Sequence, residues 1–137
     1  MPELDMQLDT HCEPVHAFEN LAFYRKGLRL QEINKLRKGE APIQWQLDLH
    51  GAQEQQAQQE LKQFIEQAYA QHKRFLLVIH GKGYNSESDY PILKNLVNRV
   101  LRGYKQVLAF CSAQPKDGGT GSVYVMLKAQ RGVIQDD

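Results

Sequence analysis

The 137-residue sequence predicts an α/β fold with the element order β-α-β-α-β-β. Segments with strand periodicity alternate with two amphipathic helical segments. Each helical segment is long enough to cross between parallel strands, so the first three strands should be parallel, with right-handed connections. The ten-residue loop 112–121 then turns the chain back, so the last strand should be antiparallel to the others.

Three changes of periodicity mark the first half of this order. Residues 44–50 alternate between apolar and polar side chains, which predicts a strand with one buried face. Residues 53–71 carry apolar side chains at spacings of three and four, which predicts a glutamine-rich amphipathic helix. Residues 74–80 are apolar throughout their middle, so they predict a strand that is buried on both sides.

The second half begins with another helix and ends with two strands. Pro91 should lie in the first turn of the helix, and Gly103 should end it. Residues 106–111 and 122–128 predict the two remaining strands, which are separated by a loop containing proline and glycine.

Charge divides the chain into four predicted parts, although the net charge is only +1. Residues 1–17 form an acidic arm, either mobile or a strap, and residues 18–43 form a basic extension with helical turns broken near Gly27. The domain itself should span residues 44–129, and residues 130–137 form a tail. Because the charge is unevenly distributed, a net charge near zero does not exclude a polyanionic partner.

The composition excludes several classes of protein. The longest apolar run has five residues, which is too short for a membrane span, and no secretory signal is visible. Cys12 and Cys111 are too few for a disulfide framework or a four-thiolate zinc site. Cys12 clusters with His11 and His16, but no second ligand pair accompanies them, so zinc is disfavoured. We therefore expect a soluble, cytoplasmic protein.

Polar residues and glycines collect where the predicted strands meet their loops. Residues 48–51 follow the first strand, residues 80–83 follow the second, and residues 117–121 join the third strand to the fourth. In open α/β sheets this edge is where ligands usually bind. The convergence of three clusters therefore predicts a functional site at this edge.

Two histidines in these clusters can be interpreted in more than one way. Asp48 and His50 are two residues apart on a strand, so both side chains should point to the same face. A carboxylate beside an imidazole can fix the tautomer and hold the ring as a general acid or base. The alternative is a polar strand end with a capping aspartate. For His80 the alternative is a ring that is hydrogen-bonded only to the backbone.

The glycine turns leave a similar choice. Gly81 and Gly83 flank Lys82, so backbone N–H groups and one ammonium could converge on an anion, although the spacing of a Walker P-loop is absent. The loop Gly118-Gly119-Thr120-Gly121 joins strand to strand. It is either an ordinary connection or a second phosphate cradle.

Together these motifs resemble the Smr (small MutS-related) domain family. The resemblance rests on Leu47-Asp48-Leu49-His50-Gly51, Ile79-His80-Gly81-Lys82-Gly83 and Gly118-Gly119-Thr120-Gly121 in this order, and it covers residues 45–128. Upstream, Arg25-Lys26-Gly27-Leu28 and Lys35-Leu36-Arg37-Lys38-Gly39 resemble the basic lead-in of stand-alone bacterial Smr proteins.

The resemblance implies both a fold and an activity. The fold is a two-layer α/β sandwich with a four-stranded mixed sheet, similar to the C-terminal domain of bacterial translation initiation factor three. In that fold the fourth strand lies antiparallel between the second and third strands. The implied activity is that of a nucleic-acid endonuclease, seen in the family as DNA nicking and as RNA cleavage. Asp48 and His50 match the family's Asp-Leu-His motif, and His80, Lys82 and the glycines match its His-Gly-x-Gly motif.

The predicted function is therefore that of a small endonuclease acting on DNA or RNA. His50 and His80 would transfer protons, and Asp48 would orient His50. The scissile phosphate would be held by Gly51, Gly81, Lys82, Gly83, Gly118, Gly119, Thr120 and Gly121. The nucleic-acid backbone would be contacted by Arg25, Lys26, Arg29, Lys35, Arg37 and Lys38.

Two other functions stay open: a catalytically silent module that binds nucleic acid or the ribosome, and a protein-interaction domain that uses the apolar N-terminal segment. Metal-dependent nucleases need several converging carboxylates. The carboxylates at this edge are Asp48 and, in a loop, Asp117, whereas the other ionisable residues are His50, His80 and Lys82. We therefore expect a monomer that needs no metal or other cofactor and does not bind membranes, with a divalent metal as the open alternative.

Overall fold

The computed structural model describes residues 13–82 and 91–130. In chain order the elements are β1 (Ala22–Tyr24), α1 (Leu30–Arg37), β2 (Trp45–Asp48), α2 (Glu54–Ala70), β3 (Phe75–Ile79), α3 (Ile92–Gly103), β4 (Val107–Ser112) and β5 (Ser122–Leu127). Two short 3-10 turns, Pro115–Asp117 and Gly119–Gly121, connect β4 to β5. No helix within the described residues is long and apolar enough to cross a bilayer.

The strands form one mixed sheet in the order β1-β4-β5-β3-β2. β2 and β3 are parallel, and β5 lies between β3 and β4, antiparallel to both. β4 therefore runs in the same direction as β3. This confirms the predicted parallel set of three strands and the insertion of the last strand between its second and third members.

The sheet has five strands rather than the four predicted. β1 pairs antiparallel with β4, where Phe23 lies opposite Phe110. The sequence predicts helical turns on both sides of Gly27, but α1 begins only at Leu30, and the segment before Gly27 is this strand. Three strand residues followed directly by Arg, Lys and Gly are too few to show the alternation that identifies a strand.

One face of the sheet is covered by α2 and α3. The α2 side chains that face the sheet recur at spacings of three and four and are fully buried: Ala57, Leu61, Ile65 and Ala68. They form one core with the apolar stripe of α3 and with alternate side chains of β3 and β5. The periodicity of the sequence therefore identified this face correctly.

On the opposite face α1 packs over β4 and β5. Leu36 of α1 is 1% exposed and belongs to a second cluster with Tyr124 and Met126. The predicted two-layer sandwich is confirmed, and α1 adds a small third layer to it.

The N-terminal strap, which we define as residues 13–21, is held against α3 by two buried polar side chains. Asn95 accepts a hydrogen bond from the Val15 N–H at 2.8 Å and donates one to the Val15 carbonyl at 3.0 Å. Lys94, which is fully buried, donates to the carbonyls of Ala17 and Glu19. These bonds satisfy polar groups that would otherwise be costly to bury.

Arg25 connects β1 to the end of α3. Its Nε donates to the Val107 carbonyl at 2.7 Å, and its Nη2 donates to the carbonyls of Arg102 at 3.1 Å and Tyr104 at 2.9 Å. Its guanidinium also lies 4.9 Å from the centre of the Phe23 ring. A cation is favourable here because the last carbonyls of a helix carry partial negative charge. The sequence pattern predicts a nucleic-acid contact for Arg25, whereas its guanidinium is occupied by the protein itself.

We expect Arg25→Met to lower the free energy of unfolding by about 2–3 kcal/mol, because three carbonyls lose a charged donor. Urea denaturation followed by circular dichroism measures the change. Arg29→Met is the matched control, since the Arg29 side chain is 79% exposed, and it should change stability by less than about 0.5 kcal/mol. Equal effects of the two substitutions would contradict a structural role for Arg25.

Candidate functional site

Asp48 and His50 form a hydrogen-bonded pair at the carboxyl end of β2. His50 Nδ1 lies 2.6 Å from Asp48 Oδ1, and the His50 backbone N–H donates to the same oxygen at 3.0 Å. The side chain of His50 is 70% exposed and that of Asp48 is 47% exposed. The pair is therefore preformed and open to a ligand, as the two-residue spacing predicts.

The charge of Asp48 determines which nitrogen of His50 can act. Partial burial raises the pKa of Asp48, but the side-chain and backbone hydrogen bonds from His50, together with its charge, hold that pKa below its usual value. Asp48 is therefore a carboxylate at neutral pH and can only accept. The proton of neutral His50 then sits on Nδ1, which leaves the lone pair on Nε2 for proton transfer.

Gly81 brings the second cluster of polar residues to this pair. Its φ of +84° lies in the left-handed region, and a Cβ at this position would lie 3.3 Å from His50 Cβ. Glycine is therefore favoured by the backbone conformation, and the close approach of His50 leaves little room for a side chain.

Gly121 brings the third cluster to the second. A Cβ on Gly121 would lie 2.9 Å from Lys82 Cγ. The Gly121 carbonyl also accepts the backbone N–H groups of His80 at 2.9 Å and Gly81 at 3.0 Å. The three clusters thus lie beside one another, from His50 through Gly81 and Lys82 to Gly121.

Most glycine N–H groups that were expected to hold phosphate are bonded within the protein. The N–H groups of Gly118, Gly119 and Gly121 donate to carbonyls of the β4–β5 connection, and that of Gly81 donates to Gly121. Among the described residues predicted to hold phosphate, backbone N–H groups without a protein acceptor remain at Gly51, Lys82 and Thr120. Gly83 lies outside the described residues. An anion at this edge would therefore be met by these three N–H groups and by the Lys82 ammonium, rather than by two complete glycine cradles.

His80 occupies a different environment from His50. It is 3% exposed, and its Nδ1 donates to the Gly81 carbonyl at 2.7 Å. Burial lowers the pKa of His80 to about 4; the bond to Gly81 opposes this effect, and the positive charge of Lys94 adds to it. His80 Nε2 is buried and has no hydrogen-bond partner among the residues described. The ring is therefore neutral at pH 7 and closed to an external ligand.

Asp117 is tied into the β4–β5 connection. It accepts hydrogen bonds from the Tyr124 hydroxyl and from Lys116, whose Nζ lies 2.9 Å away, and these two contacts lower the pKa of its carboxyl group. Within residues 13–82 and 91–130, no three His, Cys, Asp or Glu side chains come together as a metal-binding group. The predicted cluster of His11, Cys12 and His16 lies mostly outside the described residues.

The remaining predicted cations lie on the N-terminal part of the fold. Lys26, Arg29, Lys35 and Lys38 are exposed on and around α1. Arg37 is also exposed, and it borders a cavity beside Gly119 and Thr120. The sequence contained no sign of this cavity, because its walls come from four separate segments of the chain.

Comparison with known proteins identifies the family and relatives of this chain. Residues 47–128 match the family described as the Smr domain. "Probable DNA endonuclease SmrA" of Escherichia coli is 38% identical over 108 residues, which are 79% of this chain and 58% of that protein. "Ribosome rescue factor SmrB" of Tolumonas auensis is 35% identical over 106 residues, 77% of this chain and 58% of that protein.

A solved structure supports the same relationship. The crystal structure of YdaL, a stand-alone small MutS-related protein from Escherichia coli, is similar to this chain with a TM-score of 0.75 and 34% identity. The similarity covers 88% of this chain and 92% of YdaL. Against SmrA and SmrB, in contrast, the matched region spans less than two thirds of the relative's length.

The burial of His80 should make stability depend on pH. Its folded pKa of about 4 lies below the unfolded value of 6.5, so below pH 6.5 the unfolded chain binds a proton that the folded chain does not. The free energy of unfolding is therefore unaffected by His80 above pH 6.5. As pH falls from 6.5 toward 4, it decreases by about 3 kcal/mol in total. Urea denaturation at a series of pH values measures this loss, and His80→Gln should remove it. An identical pH dependence in wild type and variant would contradict the burial of a neutral His80.

Proposed function

The chain belongs to the Smr domain family, and we propose that it is an endonuclease whose catalytic residue His50 is held by the positioning residue Asp48. The observation that carries this proposal is the exposed pair itself, with His50 Nδ1 2.6 Å from Asp48 Oδ1 and Gly81 close to the Cβ of His50. An ionised Asp48 leaves the exposed ring of His50 able to accept a proton at Nε2.

RNA is the substrate that this set of groups suits best. Asp48 Oδ1 already accepts two hydrogen bonds from His50, and Asp117 is engaged by Tyr124 and Lys116. The groups left to act are a base and a fixed positive charge. These are sufficient when the nucleophile is the 2′-hydroxyl of the RNA itself, because no water has to be activated.

The proposed step exchanges one P–O bond for another and moves protons through His50 and one water. His50 Nε2 accepts the proton of the 2′-hydroxyl while the 2′-oxygen forms a bond to phosphorus. The bond from phosphorus to the 5′-oxygen breaks, that oxygen takes a proton from water, and the hydroxide that remains is neutralised by the proton that His50 then gives up. The products are a 2′,3′-cyclic phosphate and a 5′-hydroxyl. Lys82 would stabilise the extra negative charge on the phosphate oxygens in the transition state.

Substrate binding would use the N–H groups of Gly51, Lys82 and Thr120 together with exposed cations. Lys26, Arg29, Lys35 and Lys38 are free to approach phosphates along the nucleic-acid backbone. His80, which is buried, would support the turn before Gly81 rather than transfer a proton. We further propose that the protein acts as a monomer in the cytoplasm.

A second candidate is a module that binds nucleic acid or the ribosome without cleaving it. It is favoured by the single exposed histidine of the site and by the internal bonding of the glycine N–H groups. SmrB relatives are named ribosome rescue factors, and SmrA is named a probable DNA endonuclease. These names support action on nucleic acid and leave DNA, RNA and the ribosome as substrates or partners to be distinguished.

We expect His50→Asn to lower the rate of RNA cleavage by ~10²–10⁴-fold because the general base is lost, with binding nearly unchanged. Cleavage of a labelled structured RNA and its affinity by fluorescence anisotropy are the two measurements. His72→Asn is the matched control, since His72 is exposed at the end of α2 with a φ of 62° that asparagine tolerates. Equal cleavage by the His50 variant and the wild type would favour the binding module.

Cleavage should continue after exhaustive chelation, with products ending in a cyclic phosphate and a 5′-hydroxyl, because the proposed step uses His50 and the 2′-hydroxyl. Mass spectrometry of the products identifies the termini. The same RNA with 2′-O-methyl at the cut site should resist cleavage. Loss of activity on chelation that magnesium or manganese restores, or full cutting of the methylated RNA, would show that the proposed step is wrong.

A further inference from the structure

A cavity of about 420 Å³ lies beside the β4–β5 connection and takes no part in the cleavage step described above. It is open to solvent and is lined by the end of the strap, β1, the C-terminal end of α1, the end of β4 and the β4–β5 connection, and we call it the α1 cavity. Its volume is within the range of small-molecule sites, near the lower limit, which is the size of a single nucleotide rather than of a peptide.

The polar side chains of the α1 cavity have the chemistry that a nucleotide requires. Among the described residues that line it, Arg37 is the one charged residue and none carries a carboxylate. Asn20 and Gln114 supply amides, Thr120 supplies a hydroxyl, and Tyr24 supplies an aromatic ring. Amides and hydroxyls recognise base edges, and aromatic rings and guanidinium groups stack on bases.

Two of these side chains make no hydrogen bond with the described part of the protein, while Arg37 is held in place by its neighbours. Among the described residues, the side chains of Asn20 and Thr120 make no hydrogen bond with the protein. Arg37 is positioned by Asn34, whose Oδ1 lies 3.1 Å from Arg37 Nη2, and by Gln114, whose Nε2 donates to the Arg37 carbonyl at 2.8 Å. The cavity therefore contains an arginine whose position is fixed by hydrogen bonds, together with donors and acceptors that a ligand can use.

The α1 cavity and the proposed phosphate site share the β4–β5 connection. Gly119 and Thr120 line the cavity, and the next residue, Gly121, contacts Lys82 and Gly81. Thr120 therefore belongs to both, so a strand that is bound at Lys82 and Thr120 also lies next to residues of the cavity.

We propose that the α1 cavity is a subsite for one nucleotide that flanks the cleaved phosphate, with Arg37 as its charged anchor. This inference rests on the proposed function for the position of the scissile phosphate. It assigns to the N-terminal part of the fold, through Tyr24 and Arg37, a role in choosing which nucleotide stands beside the cut. A single-stranded segment fits this arrangement, because only an unpaired base can turn into a cavity.

The direct test measures binding without cleavage. Nucleoside 5′-monophosphates are titrated into the ¹⁵N-labelled protein, with inorganic phosphate and the free nucleosides as separate titrations. We expect the monophosphates to shift the amide signals of Asn20, Ser112 and Thr120 more than phosphate does. Arg37→Gln should weaken this binding about tenfold or more. Lys128→Gln, which removes the same charge from an exposed position at the opposite end of β5, should leave it unchanged.

Two results of this titration would overturn the proposal. Equal shifts with inorganic phosphate would show an anion site without recognition of a base. Nucleotide binding that is absent, or that Lys128→Gln weakens as much as Arg37→Gln does, would exclude the cavity as a nucleotide subsite.

A second test uses cleavage and separates this proposal from the proposed function. An RNA substrate carries one abasic residue, either before or after the cut site. At one of these two positions the abasic residue should raise KM about tenfold for the wild type and much less for Arg37→Gln, with kcat nearly unchanged. If neither abasic residue changes KM or kcat, the subsite would be overturned while the endonuclease would be supported. Absence of cleavage in every case would overturn the endonuclease, and the titration would then decide on the subsite.

Discussion

The carbonyl of Gly121 is the group on which the geometry of the site depends. It accepts the N–H groups of both His80 and Gly81, and in this way joins the turn after β3 to the turn before β5. With these turns in place, Lys82 packs on Gly121 and His50 packs on Gly81. A single acceptor between two strands that are far apart in sequence therefore aligns His50, Lys82 and the β4–β5 connection.

The sheet order explains why such an acceptor is available. β5 is inserted between β3 and β4, so the start of β5 meets the end of β3 at the edge where Asp48 ends β2. The internal N–H bonds at this edge reduce the number of donors that remain for an anion. They also make the turns part of the folded framework, which is the condition for a preorganised site.

The elements from β2 to β5 and the Asp48–His50 pair followed from the sequence because both are local patterns, whereas β1 did not. Alternation and helical spacing depend on neighbouring residues, and Asp48 and His50 are two residues apart, at the end of β2 and in the turn that follows it. The environment of His80 includes Lys94 of α3, and the position of Arg25 depends on β1 joining β4. These contacts join segments far apart in the chain, so they produce no periodic pattern in the sequence. The one available sign was the occurrence of Lys94, Asn95 and Asn98 among the apolar residues of α3, which indicates buried polar groups that need partners.

The N-terminal strap also constrains the order in which the chain folds. Val15 pairs with Asn95 across 80 residues, and Leu21 bonds to Ser112 across 91 residues. Closing loops of this length costs more entropy than closing short ones, whereas β2, α2 and β3 follow one another and can pair early. During synthesis the strap and β1 emerge before α3 and β4, and they have no docking surface until those two elements have been made. The strap and β1 therefore join the fold only after α3 and β4 are present, and the α1 cavity exists only once they have joined.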